Sequence, residues 1–283
     1  MVRDGKTDAD FCVFPTPEHY PGPTAMTQPL RILLIQARSA DDPMADHELR
    51  AFANRCELTI DQFTTFNVAV DDLSDYHPRG MDAIMIGGSG AFSLVEGGFS
   101  WHQAYLDLMR EILVRGIPTF ASCFGFQGIV QATGGKLARD EQMAQLGTYQ
   151  IELTDEAEDD PLFGDLPKSF DAQLGHNDSA TELCDDLIHL ASSEACKYQA
   201  IRVKNKPIVA TQFHPELTRQ CNLERFRNYL ENYKKPGQNF DEAMAYAESI
   251  HRPSPHSCGL LHSFVRDLHA RRQRQQPTVV TAE

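Results

Sequence analysis

Short apolar runs alternate with helically spaced apolar positions along the first half of the chain. RILLIQ, Arg31 to Gln36, reads as a buried strand. Pro43 to Asn54 follows as a helix, with Asp42 as N-cap and Pro43 at its first position. Glu57 to Phe63 alternates like a strand, and Asp82 to Ile86 is another buried run ending in Gly87-Gly88-Ser89-Gly90. Tyr105, Leu108, Met109 and Ile112 give Trp101 to Arg115 a helical period that stops at Gly116. Ile117 to Ala121 is then a strand and Phe124 to Thr133 the helix behind it. This alternation predicts an α/β fold with a parallel sheet covered by helices on both faces.

The pattern changes after Gly134. Gly147 to Thr154, Ser169 to Gly175, Ile188 to Ser192, Gln199 to Lys204 and Pro207 to Phe213 all have strand character, which predicts an antiparallel or mixed extension of the sheet. Arg219 to Tyr233 is helical, as are Phe240 to Ile250 and Gly259 to Arg272, with a frayed tail over Gln273 to Glu283. Residues 1–29 are proline-rich and without periodicity, so they read as a loose extension in which Met26 could begin the folded part. The expected division is therefore a flexible 1–29, a core domain over 30–235, and a helical extension over 236–283. The extra helices could pack on the core, form a dimer surface or dock another protein.

A hydrophobic content of 41% is enough for a substantial core, and the net charge of −14 argues against a nucleic-acid surface. The seven cysteines are scattered and include no C-x-x-C, so neither a disulfide framework nor a zinc site is expected. No run approaches the roughly 18 apolar residues of a membrane span. Charged residues interrupt the N-terminus, which does not read as a signal peptide. The expectation is a soluble, cytoplasmic protein with no cofactor, no metal, no nucleic-acid partner and no membrane contact.

The chemistry concentrates at two strand ends. Cys123 stands where the strand Ile117 to Ala121 meets the glycine-spaced start of a helix, and the partial positive charge there favours a thiolate. Gln212-Phe213-His214-Pro215-Glu216 supplies an imidazole and a carboxylate two residues apart, again after an apolar strand. A thiol, a base and an orienting acid are the parts of a nucleophilic triad. The glycine turn at 87–90 is not a phosphate loop, since G-x-x-x-x-G-K-[ST] is absent. It is not a dinucleotide fingerprint, because Ser93 holds the last place, nor a G-x-S-x-G elbow, because Ala91 does. Its backbone N–H groups are suited to an oxyanion. Leu174-Gly175-His176-Asn177-Asp178 is a polar turn whose reading as a plain surface loop stays open.

These four motifs, in this order between Arg31 and Tyr233, resemble a class I glutamine amidotransferase domain of the Cys-His-Glu type found in GMP synthase and carbamoyl phosphate synthetase. The resemblance implies a three-layer, open, mostly parallel flavodoxin-like sheet. It implies that Cys123 attacks a γ-glutamyl amide to give a thioester and ammonia, with His214 as acid and base and Glu216 as orienter. Gly88 and Phe124 would offer oxyanion-hole amides, and Gln127, Asn177 and Asp178 would hold the substrate. Ala121 stands where the family often has glycine. No S-G-G-x-D-S loop follows, and residues 236–283 are too few for a synthetase module, so a stand-alone protein of the GMP-synthase-like group is expected. Its partners would be glutamine or a γ-glutamyl small molecule and a separate synthase subunit accepting ammonia. A free γ-glutamyl peptidase, and a non-catalytic binding protein on the same fold, are the rival readings.

Overall fold

The computed structural model describes residues 28–73, 76, 78–233 and 237–275. The proline-rich segment and Met26 lie outside the described residues. β1 (Ile32–Gln36), β2 (Phe63–Asn67), β3 (Ala83–Ile86), β4 (Thr119–Ser122) and β11 (Ile208–Thr211) pair in parallel, in the order β2-β1-β3-β4-β11. β10 (Ala200–Val203), β9 (Leu187–Ser192), β6 (Gln145–Leu153) and β7 (Ser169–His176) continue the same sheet antiparallel beyond β11.

Both faces of the parallel strands are covered, and the residues alternate between two cores. Leu33, Ile35, Ile84 and Ile86 face α2 (His102–Arg115) and α3 (Phe124–Ala132), meeting Tyr105, Ile112, Phe126 and Ile129. Ile32, Leu34, Met85 and Phe120 face α1 (Met44–Cys56) and α8 (Leu260–Gln275), meeting Phe52, Phe264 and Leu268. A strand buried on both faces reads as a continuous apolar run, as RILLIQ does. The predicted three-layer α/β arrangement is what the chain adopts.

Several local expectations need correction. Glu57 does not begin a strand: it caps α1 in the left-handed region at φ 55°. A capping box between Thr59 and Gln62 then closes a 3-10 turn over Ile60–Gln62, so β2 starts where the predicted strand ends. Helix α1 starts at Met44, one residue later than expected, with the Met44 N–H on Asp42 Oδ1. The helix expected over Arg219 to Tyr233 breaks at Tyr229 into α4 (Arg219–Asn228) and α5 (Leu230–Tyr233). α8 runs on to Gln275. A two-stranded ribbon, β5 (Lys136–Arg139) with β8 (Asp178–Glu182), went unread because both strands are short and polar. The polar turn after β7 is therefore a link between two strands, with Asn177 between them.

The C-terminal helices pack on the core. α6 (Phe240–Ile250) lies on α4, where Ala243, Met244 and Ala247 meet Phe226. α7 (Pro255–Cys258) lies against β7, and α8 beside α1.

Candidate active site

β4 and β11 are parallel neighbours in register, with Ser122 opposite Thr211. Their C-terminal ends therefore open on the same edge of the sheet, where α/β folds of this kind place ligands. Cys123 follows β4 at once, and its N–H donates to the Thr211 carbonyl at 2.8 Å. His214 comes three residues after β11, its N–H held by the Gln173 carbonyl at 2.9 Å. Topology alone brings together two residues 91 positions apart.

Cys123 adopts φ 50°, ψ −98°, a backbone conformation that side chains disfavour. Such strain persists only where the surroundings over-determine it, and it concentrates at functional turns. Here the N–H bond to β11 fixes one side and α3 the other. Gly125 can approach β3 only because it lacks a Cβ, which would lie 2.8 Å from Ile86 Cβ. The Gln212 amide points its Nε2 at Cys123 Sγ, 3.6 Å away.

His214 and Glu216 are both buried, with Nδ1 2.6 Å from Oε1. Burial works against the imidazolium, but Glu216 and the nearby Cys123 outweigh it and hold the His214 pKa above its usual value. Burial likewise resists the Glu216 charge, yet His214 and Arg225 keep the carboxyl below the ordinary range. Nε2 of His214 makes no hydrogen bond among the described residues, so the ring nitrogen not used by Glu216 is the one left for proton transfer.

Gly88 separates these groups: a Cβ there would come 2.8 Å from His214 Cε1 and 3.6 Å from Cys123 Cβ. The Gly88 N–H donates to Glu48 Oε1 at 3.1 Å, and Arg38 holds that same oxygen at 2.6 Å. The Phe124 N–H opens α3 and has no helical acceptor.

Gln127, Asn177 and Asp178 line one cavity with Cys123, of about 350 Å³. Gln127 Nε2 donates to the Asp178 carbonyl at 2.9 Å, which pins α3 to β8. Asn177 is exposed at the mouth. The Asp178 carboxylate already has partners: Ser93 Oγ donates at 2.5 Å and Arg139 lies 3.4 Å away. Arg139 also pairs with Glu96 at 2.9 Å on the outer rim. No group of three or more His, Cys, Asp or Glu suited to a metal occurs among the described residues.

Sequence reading missed Arg38, Glu48, Arg139 and Arg225. Glu48 could have been found, because it lies one turn before Phe52 on the apolar stripe of α1. Arg225 sits in a polar helix of weak pattern, and nothing local marks it.

A class I glutamine amidotransferase family model matches residues 47–229, more than half of the chain. The chain belongs to that family. Over 203 residues it is 28% identical to a glutamine-hydrolyzing GMP synthase of Aliivibrio salmonicida, covering 71% of this chain and 36% of that protein. Over 140 residues it is 32% identical to the GMP synthase of Thermosipho melanesiensis, covering 49% of this chain and 26% of the relative. The chain thus spans about a third of these relatives' length. Among solved structures, a glutamine amidotransferase from Thermotoga maritima shares the fold with a TM-score of 0.62 at 18% identity, covering 86% of this chain and 99% of that one. One from Methylobacillus flagellatus has a TM-score of 0.58 at 16% identity, covering 88% and 95%. No helix among the described residues is long and apolar enough to cross a membrane.

Proposed function

We propose that the chain hydrolyses the side-chain amide of glutamine through Cys123, His214 and Glu216. The observation that carries this reading is the Cys123 turn at φ 50°, opening on the cavity beside a His214–Glu216 pair at 2.6 Å.

Cys123 Sγ gives its proton to His214 Nε2 and attacks the amide carbon. The resulting oxyanion is met by the Phe124 N–H, and Gly88 joins it only if its peptide turns away from Glu48. Collapse of the tetrahedral adduct breaks the C–N bond, and the leaving nitrogen takes the proton from His214 as ammonia departs. Water then gives a proton to His214 and attacks the γ-glutamyl thioester, releasing glutamate and the thiol. The net reaction is glutamine plus water to glutamate plus ammonia. Glu216 holds the ring so that Nε2 faces this chemistry.

A synthase that takes up the ammonia is the proposed partner, and the likeness to GMP synthases supports it. One observation favours a second reading with the same thiol chemistry: the cavity runs outward to Arg139 and Glu96, where a γ-glutamyl peptide has room for a longer amine portion. The test is ammonia and glutamate release from glutamine and from a γ-glutamyl dipeptide, with and without candidate synthases. Cys123→Ala is expected to lose at least about 1,000-fold in rate. Equal turnover by this variant would refute the mechanism.

A further inference from the structure

A buried cation stands at the far end of the relay from Cys123 to Glu216. Arg225, on α4, is 7% exposed, and its Nη1 stands 3.2 Å from His214 Nδ1, the atom that Glu216 Oε1 meets at 2.6 Å. The same Nη1 is 3.9 Å from that Oε1, and Nη2 would be 3.3 Å from a Cβ on Gly88. The guanidinium is wedged between the pair and the glycine turn.

A ring nitrogen has a single site for a proton or a lone pair. With the proton on Nδ1, it donates to Glu216 and faces an Arg225 N–H; without it, Nδ1 accepts from Arg225. A buried carboxylate alone fixes the first state and also stabilises the imidazolium, which cannot act as a base. A cation at 3.2 Å opposes the second effect, while the shorter 2.6 Å contact with Glu216 keeps the first in place.

We propose that Arg225 is a positioning residue that keeps His214 usable as a base, by offsetting the Glu216 carboxylate at Nδ1. The groups that act on this ring come from four places. Cys123 lies at the β4–α3 turn, Glu216 on the segment of His214 itself, Arg225 on α4 and His176 at the end of β7. Burial pushes the His176 pKa down to about 3, so it stays neutral and supplies no competing cation. Arg38, further back, is committed to Glu48, Asp42 and Tyr229.

This inference rests on reading Cys123 and His214 as nucleophile and base, so the test needs no substrate. The rate at which iodoacetamide alkylates Cys123 is measured from pH 5 to 10 by mass spectrometry of the Cys123 peptide. Arg225→Met is expected to move the midpoint of that profile down by about one pH unit, because a more stable imidazolium favours the neighbouring thiolate, and Arg225→Lys by much less. On a His214→Ala background, the methionine change is expected to move the midpoint little, because the ring that transmits the effect is gone. Arg225→Gln, polar and uncharged, replaces the methionine variant if that one does not fold.

An unmoved midpoint in a folded neutral variant would overturn the proposal. So would an equal shift without His214, which would mean that Arg225 acts on the thiol directly. Failure of both neutral variants to fold would make Arg225 a scaffold residue and overturn it too. Wild-type protein that shows the alkylation profile but releases no ammonia would count against the glutaminase reading alone.

Discussion

Cys123 and Gly88 divide the work of the site between strain and space. Cys123 keeps a left-handed backbone that glycine would adopt freely, because a glycine there could carry no thiol. Gly88 has ordinary backbone geometry but sits where any side chain collides with His214 Cε1 at 2.8 Å and Arg225 Nη2 at 3.3 Å. Neither neighbour can yield, since Glu216 ties the imidazole at 2.6 Å and the guanidinium is buried against the same pair. Gly88→Ala should therefore lower kcat/KM by about 100-fold through a displaced ring. It should also cost about 1–3 kcal/mol of stability. Steady-state kinetics and urea unfolding measure the two effects separately, and a variant with normal kinetics would remove Gly88 from the site.

At the scale of elements, the strands feeding the site were legible because burial on both faces leaves an unbroken apolar signature in β1, β3 and β4. The thiol turn and the His-Pro-Glu segment were legible from a glycine spacing and a fixed turn at the ends of such strands. β2 was misplaced by a few residues because Leu58 and Ile60 mimic strand alternation while a capping box closes a turn. The β5–β8 ribbon stayed hidden because its strands are polar and only four and five residues long. α8 was recognised as a helix, but its place was not: it rests on the sheet face opposite α3, with Phe264 stacked edge-on to Phe120 at 5.7 Å. Phe264→Ala should destabilise the whole protein by about 3–5 kcal/mol, seen as a lower urea midpoint at an unchanged slope. A loss confined to helical signal at the C-terminus would show instead that α8 frays independently.

Across the whole molecule, buried histidines link stability to pH. Burial drives His176 down to about 3, and burial also lowers His47 and His251. Between the unfolded value near 6.5 and pH 3, the unfolded chain binds protons that the folded one refuses. Their contribution is therefore complete above about pH 6.5 and is lost as pH falls. His214 has the opposite sign: its raised pKa contributes stability below 6.5, which fades as pH rises through the higher folded value. Glu216, lowered in the fold, adds to the loss below its ordinary range near 4.5. The melting temperature should thus drop between pH 6.5 and 4, and His176→Gln should flatten that drop. Parallel profiles for the variant and the wild type would mean that His176 takes up its proton without unfolding.

The sequence by itself determined the α/β class, the strands that carry the site, the candidate nucleophile and the His214–Glu216 pair. Each of these is written locally, as an apolar run, a glycine spacing or a fixed turn. Only the tertiary structure decided that β4 and β11 lie side by side, that Glu48 takes the Gly88 amide, and that Arg225 reaches Nδ1 of His214. Those facts depend on strand order and on helices packed across the sheet; the first two join residues 89 and 40 positions apart. Periodicity reports which face a residue buries, but it does not report what it is buried against.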